Sequence, residues 1–153
     1  MDRLDRKILL VLQEDASLTT GEIAEQVGLS PSPCWRRIRQ LRESGAIKRS
    51  VTLLEPRLVG FNVMVMASVR LSQHSKENVE AFEAKVAAIA DILECHAMSG
   101  EWDYVLRIAA PDIDSYYDFI RERLIRLPYI ASVNSSFMLK QIKHTTALPI
   151  AEN

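Results

Sequence analysis

Apolar positions in residues 2–14 recur at helical spacing: Leu4, Ile8, Val11 and Leu12 form one stripe, with Asp2 able to cap and Asp5 in the first turn. Asp15–Ala16–Ser17 interrupts that stripe. Thr19 and Glu22 then have capping-box spacing, the hydroxyl accepting from the Glu22 amide while the carboxylate reaches back. The helix they open carries Ile23, Ala24 and Val27 and stops at Gly28, where a left-handed residue costs little. A third helix is expected from the stretch GLSPSPCWRRIRQL, with Ser30 as N-cap and Pro31 as first helical residue. Pro33 falls in the same first turn, whose amides lack intrahelical partners anyway. On this helix Cys34, Ile38 and Leu41 share one face, and Ser32, Arg36, Arg39, Gln40 and Glu43 gather opposite. Trp35, Arg37 and Arg42 lie on the flanks, and Ser44–Gly45 ends the helix. Three short helices, the last two joined by a tight glycine turn, describe a helix-turn-helix. The β-rich run from Ile47 to Leu54 then predicts a short strand or wing before Glu55–Pro56.

Beyond Pro56 the period changes from helical to alternating. Phe61, Val63, Val65, Ala67, Val69 and Leu71 alternate with Asn62, Met64, Met66, Ser68 and Arg70, which predicts a strand. Lys76–Ala90 repeats Val79, Phe82, Val86 and Ile89 at helical spacing. Ile92–Met98 and Tyr104–Ala110 read as strands around a Ser99–Gly100–Glu101 turn. Pro111–Asp112 opens a helix with Ile113, Tyr116, Tyr117, Ile120 and Leu124, and Ile130–Lys143 returns to strand. The order β-α-β-β-α-β is the ferredoxin-like plan, an antiparallel sheet with two helices on one face. The chain is therefore expected to be α+β, with a winged helix-turn-helix domain over 1–57 and a ferredoxin-like domain over 58–153. Apolar residues on both faces of these strands leave one uncovered face as a partner surface, and a symmetric dimer is the economical use of it.

Charge sharpens this picture. The formal net charge of −1 argues against a chain that coats nucleic acid indiscriminately. Residues 1–57 hold ten Lys/Arg against eight Asp/Glu, whereas residues 58–153 hold nine against twelve. Within residues 31–49, six basic residues (Arg36, Arg37, Arg39, Arg42, Lys48 and Arg49) oppose Glu43 alone. A solvated face is the plainer reading of such a cluster. Its single sign, its place after a tight turn and its continuation into the wing favour a polyanion.

A helix-turn-helix lays its second helix in the major groove, with residues near that helix's start on base edges. Here those are Ser32, Pro33, Trp35 and Arg36, with Arg39 and Gln40 one turn on. Arg can pair with guanine and Gln with adenine through two hydrogen bonds. For Trp35, packing at the core edge is preferred over a thymine-methyl contact. Arg37, Arg42, Lys48 and Arg49 are expected on phosphates.

Two cysteines without metal-like spacing, a charged N-terminus and no membrane-length apolar run predict a reduced, soluble, cytoplasmic chain. Cys95 and His96, adjacent on a strand, point to opposite faces and are expected to be buried structural residues rather than ligands of one ion. Cys34 is expected in the core of the third helix. No phosphate-cradling loop, nucleophile elbow or paired carboxylates are visible, so no catalytic residue, metal or cofactor is expected.

Several segments together resemble the Lrp/AsnC (leucine-responsive, feast/famine) transcription regulators over essentially the whole chain. They are Leu4–Asp5–Arg6–Lys7–Ile8–Leu9, Gly28–Leu29–Ser30–Pro31–Ser32–Pro33–Cys34, the Ser99–Gly100–Glu101–Trp102–Asp103–Tyr104 turn, and the tail from Lys143 to Pro149. The resemblance implies double-stranded DNA as partner, a RAM-type effector domain, dimers assembled through the sheets and often joined into octamers, and control by a free amino acid. It also implies an effector site between dimers, near the Ser99–Tyr104 turn and part of the last strand. Gly100 would expose amides to the effector carboxylate, Asp103 or Glu101 would hold its ammonium group, and Ala97, Met98, Ser135, Ser136 and Phe137 would shape an apolar pocket. Trp102 can narrow that pocket. Leucine or methionine is the expected effector. The alternative reading is a sirohaem-decarboxylase-like enzyme on the same plan, for which only His96 and Arg107 offer themselves.

Overall fold

The computed structural model describes residues 1–151. The chain divides into two compact units, Met1–Leu53 together with the segment from Ile142 onward, and Leu54–Gln141.

In the first unit α1 (Arg3–Glu14), α2 (Thr20–Val27) and α3 (Pro31–Glu43) start and stop where their caps dictate. The Asp2 carboxylate accepts from the Asp5 amide at 2.9 Å while the Asp5 carboxylate accepts from the Asp2 amide at 2.9 Å, a complete capping box. Thr19 and Glu22 form the second box. Gly28 adopts φ 72°, and the Leu29 amide turns back to the Ala24 carbonyl at 2.8 Å, so the chain reverses sharply between α2 and α3. Ser30 stands at the N-cap of α3, yet its side chain makes no cap bond. The third helical residue is Pro33, so the amide that such a hydroxyl commonly caps does not exist. The helices close over Ile8, Ile23, Ala24, Val27, Cys34, Ile38 and Leu41.

The tail revises the expected domain boundary. Residues 142–151, expected from the sequence in the second domain, pack with the first unit. Ile150 lies against its core, and Gln13 grips the Leu148 backbone at both groups: the amide donates to Gln13 Oε1 at 2.7 Å and the carbonyl accepts from Nε2 at 3.2 Å. The expected strand over 47–54 is not formed; Ile47 packs against the helical core and residues 48–54 run exposed without strand pairing.

The second unit is built from β1 (Val63–Leu71), α4 (Lys76–Ala87), β2 (Ile92–Ala97), β3 (Tyr104–Ala110), α5 (Ile113–Phe119) and β4 (Ile130–Phe137). The sheet is antiparallel in the order β2-β3-β1-β4, the ferredoxin-like topology. The Phe61 amide is used by the Pro56 carbonyl at 2.9 Å, closing a short 3₁₀ turn, so β1 begins at Val63 rather than Phe61. β4 ends at Phe137, opposite Val65, rather than at Lys143; one further backbone bond, from the Met138 amide to the Met64 carbonyl at 2.9 Å, follows, and β1 itself begins at Val63.

Val65, Ala67, Val69 and Leu71 of β1 and Tyr104, Leu106 and Ile108 of β3 face the helices and bury Phe82, Val86, Tyr116, Phe119 and Leu124 against them. Ile113 and Tyr117, expected on that face of α5, are exposed; Phe119 fills the place. The other face of the sheet carries Met64, Met66, Val105 and Ala109, with Arg107, Glu94 and His96 at its β2 side. Cys34 is buried as expected, whereas Cys95 and His96 are exposed: on the edge strand β2, His96 lies on the uncovered face and Cys95 on the helix side where cover is incomplete.

Candidate functional site

The exposed face of α3 presents two rows at i, i+4 spacing: Ser32–Arg36–Gln40 and Trp35–Arg39–Glu43. All six residues are exposed. The inward face holds Cys34, Ile38 and Leu41 against α1 and α2, so the helix cannot rotate without emptying the core. Trp35 is 52% exposed, not packed at the core edge as expected. It stands at the mouth of a cleft of about 220 Å³ shared with Leu12, Ala16, Leu18, Ile23 and Arg42.

The arginines differ in their partners. Arg36 and Arg42 meet no acid or ring among the described residues, and Lys48 and Arg49 are likewise exposed and unpaired. Arg39 donates through Nε to Glu43 Oε1 at 2.6 Å and lies over the Trp35 ring, 5.6 Å from its centroid. Arg37, expected on a phosphate, is instead committed within the unit. Its Nη1 meets Asp2 Oδ2 and Asp5 Oδ1, each at 2.7 Å, and ties α3 to the capping box of α1. The Asp2 carboxyl is held below its ordinary range, first by the Asp5 amide and then by Arg37. Two acids three apart at the start of α1 were the available signal for this pairing.

The second candidate is the turn between β2 and β3. The Met98 amide donates to the Asp103 carbonyl at 2.9 Å, and Gly100 takes φ 124°, a conformation that side chains rarely adopt. The backbone amides of residues 99–102 donate to no group among the described residues. Arg70 clamps the turn from β1: Nη2 and Nε donate to the Glu101 carbonyl at 2.8 and 3.1 Å, Nη2 also reaches Glu101 Oε1 at 3.1 Å, and the guanidinium stacks 5.1 Å from the Trp102 ring. Asp103 accepts the Leu71 amide at 2.7 Å and meets His74 Nε2 at 2.9 Å. Its carboxyl is lowered, chiefly by the Leu71 amide. Both carboxylates expected to meet an ammonium group thus already have partners, and His74 and Arg70 join the site unannounced by the sequence.

The remaining residues of the expected pocket are not brought together within one chain. Ser135 shares a 2.6 Å hydrogen bond with the Tyr116 hydroxyl, and Phe137 meets the Tyr116 ring edge-on at 5.4 Å, so both lie on the helix-covered face. Ser136 pairs with Met66 and lies on the other face. The turn adjoins the Val69 end of β1, whereas Phe137 pairs with Val65, roughly 13 Å away along the strand. Ala97 lines a separate cleft of about 410 Å³ between α4 and β2, with Glu83, Cys95 and Tyr104.

A family model described as winged helix-turn-helix DNA-binding matches residues 1–48, and one described as the Lrp/AsnC ligand binding domain matches residues 64–148. The DNA-binding transcriptional activator DecR of Escherichia coli (strain K12) is 35% identical over 98% of this chain and 99% of its own length. A transcriptional regulator of Neisseria meningitidis, solved as a complex with L-Met, superposes with a TM-score of 0.93 at 39% identity, covering 97% of this chain and 96% of that one. An AsnC family transcriptional regulator from Agrobacterium tumefaciens gives 0.92 at 45% identity, covering 97% of each. Nothing in these matches supports the tetrapyrrole-decarboxylase alternative. With its basic helix exposed, its sheet topology in place and both halves matched, the chain belongs to the Lrp/AsnC family of DNA-binding transcriptional regulators.

Proposed function

We propose that this regulator reads double-stranded DNA with the exposed rows of α3 and is controlled by an apolar amino acid. Ser32, Pro33, Trp35, Arg36, Arg39 and Gln40 face base edges; Arg42, Lys48 and Arg49 meet phosphates. Arg37 has a different task, fixing α3 to α1. The observation that carries this reading is the pair of unpartnered guanidiniums, Arg36 and Arg42, on a helix whose other face is locked in the core. The effector meets the open amides of the turn at Gly100, and residues from another protomer complete its pocket, since Ser135–Phe137 pair with β1 on the strand edge opposite β3, from Ala67 to Val65 and away from the turn. Methionine is favoured over leucine by the relative solved with L-Met. Dimers form through the face carrying Met64, Met66 and Val105, join into octamers, and work in the cytoplasm. Selection of bound duplexes from a random pool, with and without L-Met or L-Leu, tests the reading. A recovered motif that shifts in occupancy with L-Met is the expected result; recovery of random sequence would overturn it.

A further inference from the structure

We propose that Glu43 is a positioning residue for base recognition: it fixes the pose in which Arg39 meets a base edge, and its charge weakens binding to DNA in general. The inference rests on α3 being the element that enters DNA. Arg39 is the one guanidinium of the exposed rows held on both sides, by the Trp35 ring one turn before and by Glu43 one turn after. The bond to Glu43 uses Nε and leaves the two terminal nitrogens as the free fork, the end that matches O6 and N7 of guanine. Arg36 has Ser32 and Gln40 at the same offsets and is held by neither.

Helix stability does not explain Glu43. An acid following its basic partner at i+4 is the weaker order, and a carboxylate in the last turn faces the negative end of the helix dipole. The two side chains are 63% and 58% exposed, where an ion pair adds little to folding. A residue that breaks two local rules on a functional face has its reason in the function. Ordering the fork before binding lowers the entropic cost of one specific contact, while a carboxylate near the phosphates disfavours every sequence alike.

Three variants of the full chain separate these effects, with base preference measured by selection and random-duplex affinity by anisotropy. Arg39→Ala identifies the base pair that Arg39 reads. Glu43→Ala is expected to lower discrimination at that pair roughly three- to tenfold while random-duplex affinity rises roughly twofold. Glu43→Gln, which keeps an oxygen for Nε, is expected to retain the discrimination and show the same rise. A merely structural role would lower preference at all positions and random affinity together. Unchanged discrimination in Glu43→Ala, or loss spread over all positions, overturns the proposal. If the wild-type chain itself selects no motif, the DNA-reading assignment of α3 fails, and this inference with it.

Discussion

Arg37 sits between Asp2 and Asp5 with both N···O distances 2.7 Å, whereas Arg36, one position earlier on α3, meets no acid among the described residues. That single step around the helix, about 100°, separates a guanidinium that holds the unit together from one open to solvent. Arg37→Leu is therefore expected to lower the denaturant midpoint and to weaken specific and random DNA binding in equal proportion; loss confined to the specific site would place it on a base. The exposed and inward positions of α3 were legible in the sequence, because helical period alone sets them. The partners were not: Asp2 and Asp5 lie on another helix, and only the packing of α1 on α3 brings them close. Trp35 was misread for a related reason. A large aromatic on a flank can go either way, and the core was already filled by Cys34, Ile38 and Leu41.

At the scale of elements, caps and turns were the readable features. The Asp2 cap, the Thr19–Glu22 capping box and the reversal at Gly28 stand where the sequence puts them, since each depends on residues three or four apart; that Asp5 answers Asp2 to complete a second box is added by the structure. Strand ends were less legible, because a strand can extend only as far as its neighbour: β1 begins at Val63, close to the pairing of Val65 with Phe137, so β4 cannot continue to Lys143. The β2–β3 turn is likewise decided by residues remote in sequence. Arg70 and His74 reach it from β1 and the following loop, and no local pattern announces them. The lowered Asp103 carboxyl gives this turn a pH signature. A group whose folded value is depressed contributes stability above its ordinary range, near pH 4, and that contribution is lost as pH falls through the depressed value. Asp103→Asn should therefore lower the melting temperature at pH 7, with the difference from wild type shrinking toward pH 3. No difference at pH 7 would mean that the hydrogen bond from the Leu71 amide, which an Asn oxygen can still accept, matters and the charge does not.

Over the whole molecule, the chain leaves the first unit near Leu53 and returns to it at Ile142, so the DNA-binding unit is assembled from both ends of the sequence. Composition gives no warning of this, because the tail is about as apolar as the rest of the chain and has no periodic pattern; among its described residues Ile150 packs on that core. Gln13→Ala removes both hydrogen bonds to Leu148 and is expected to destabilise the first unit by about 1–2 kcal/mol, read by chemical denaturation followed at Trp35. No change would mean that the tail is a passenger. On the uncovered sheet face, Met64→Glu sets a charge opposite Ala109 and is expected to shift sedimentation from dimer to monomer; an unchanged profile would move the self-association surface elsewhere. The net charge of −1 disfavours indiscriminate DNA binding, so the proposed reading assigns the affinity to the basic residues of α3 and the segment after it. The most direct measurement of that claim is salt-dependent binding of the full chain to its selected duplex and to random duplex, for wild type, Arg36→Ala and Arg42→Ala. Arg36→Ala should cost about 10- to 100-fold on the selected site and far less on random DNA. Arg42→Ala should weaken both alike and reduce the salt slope by about one. Indistinguishable behaviour of the two variants, or wild-type affinity in both, would contradict entry of α3 into the groove.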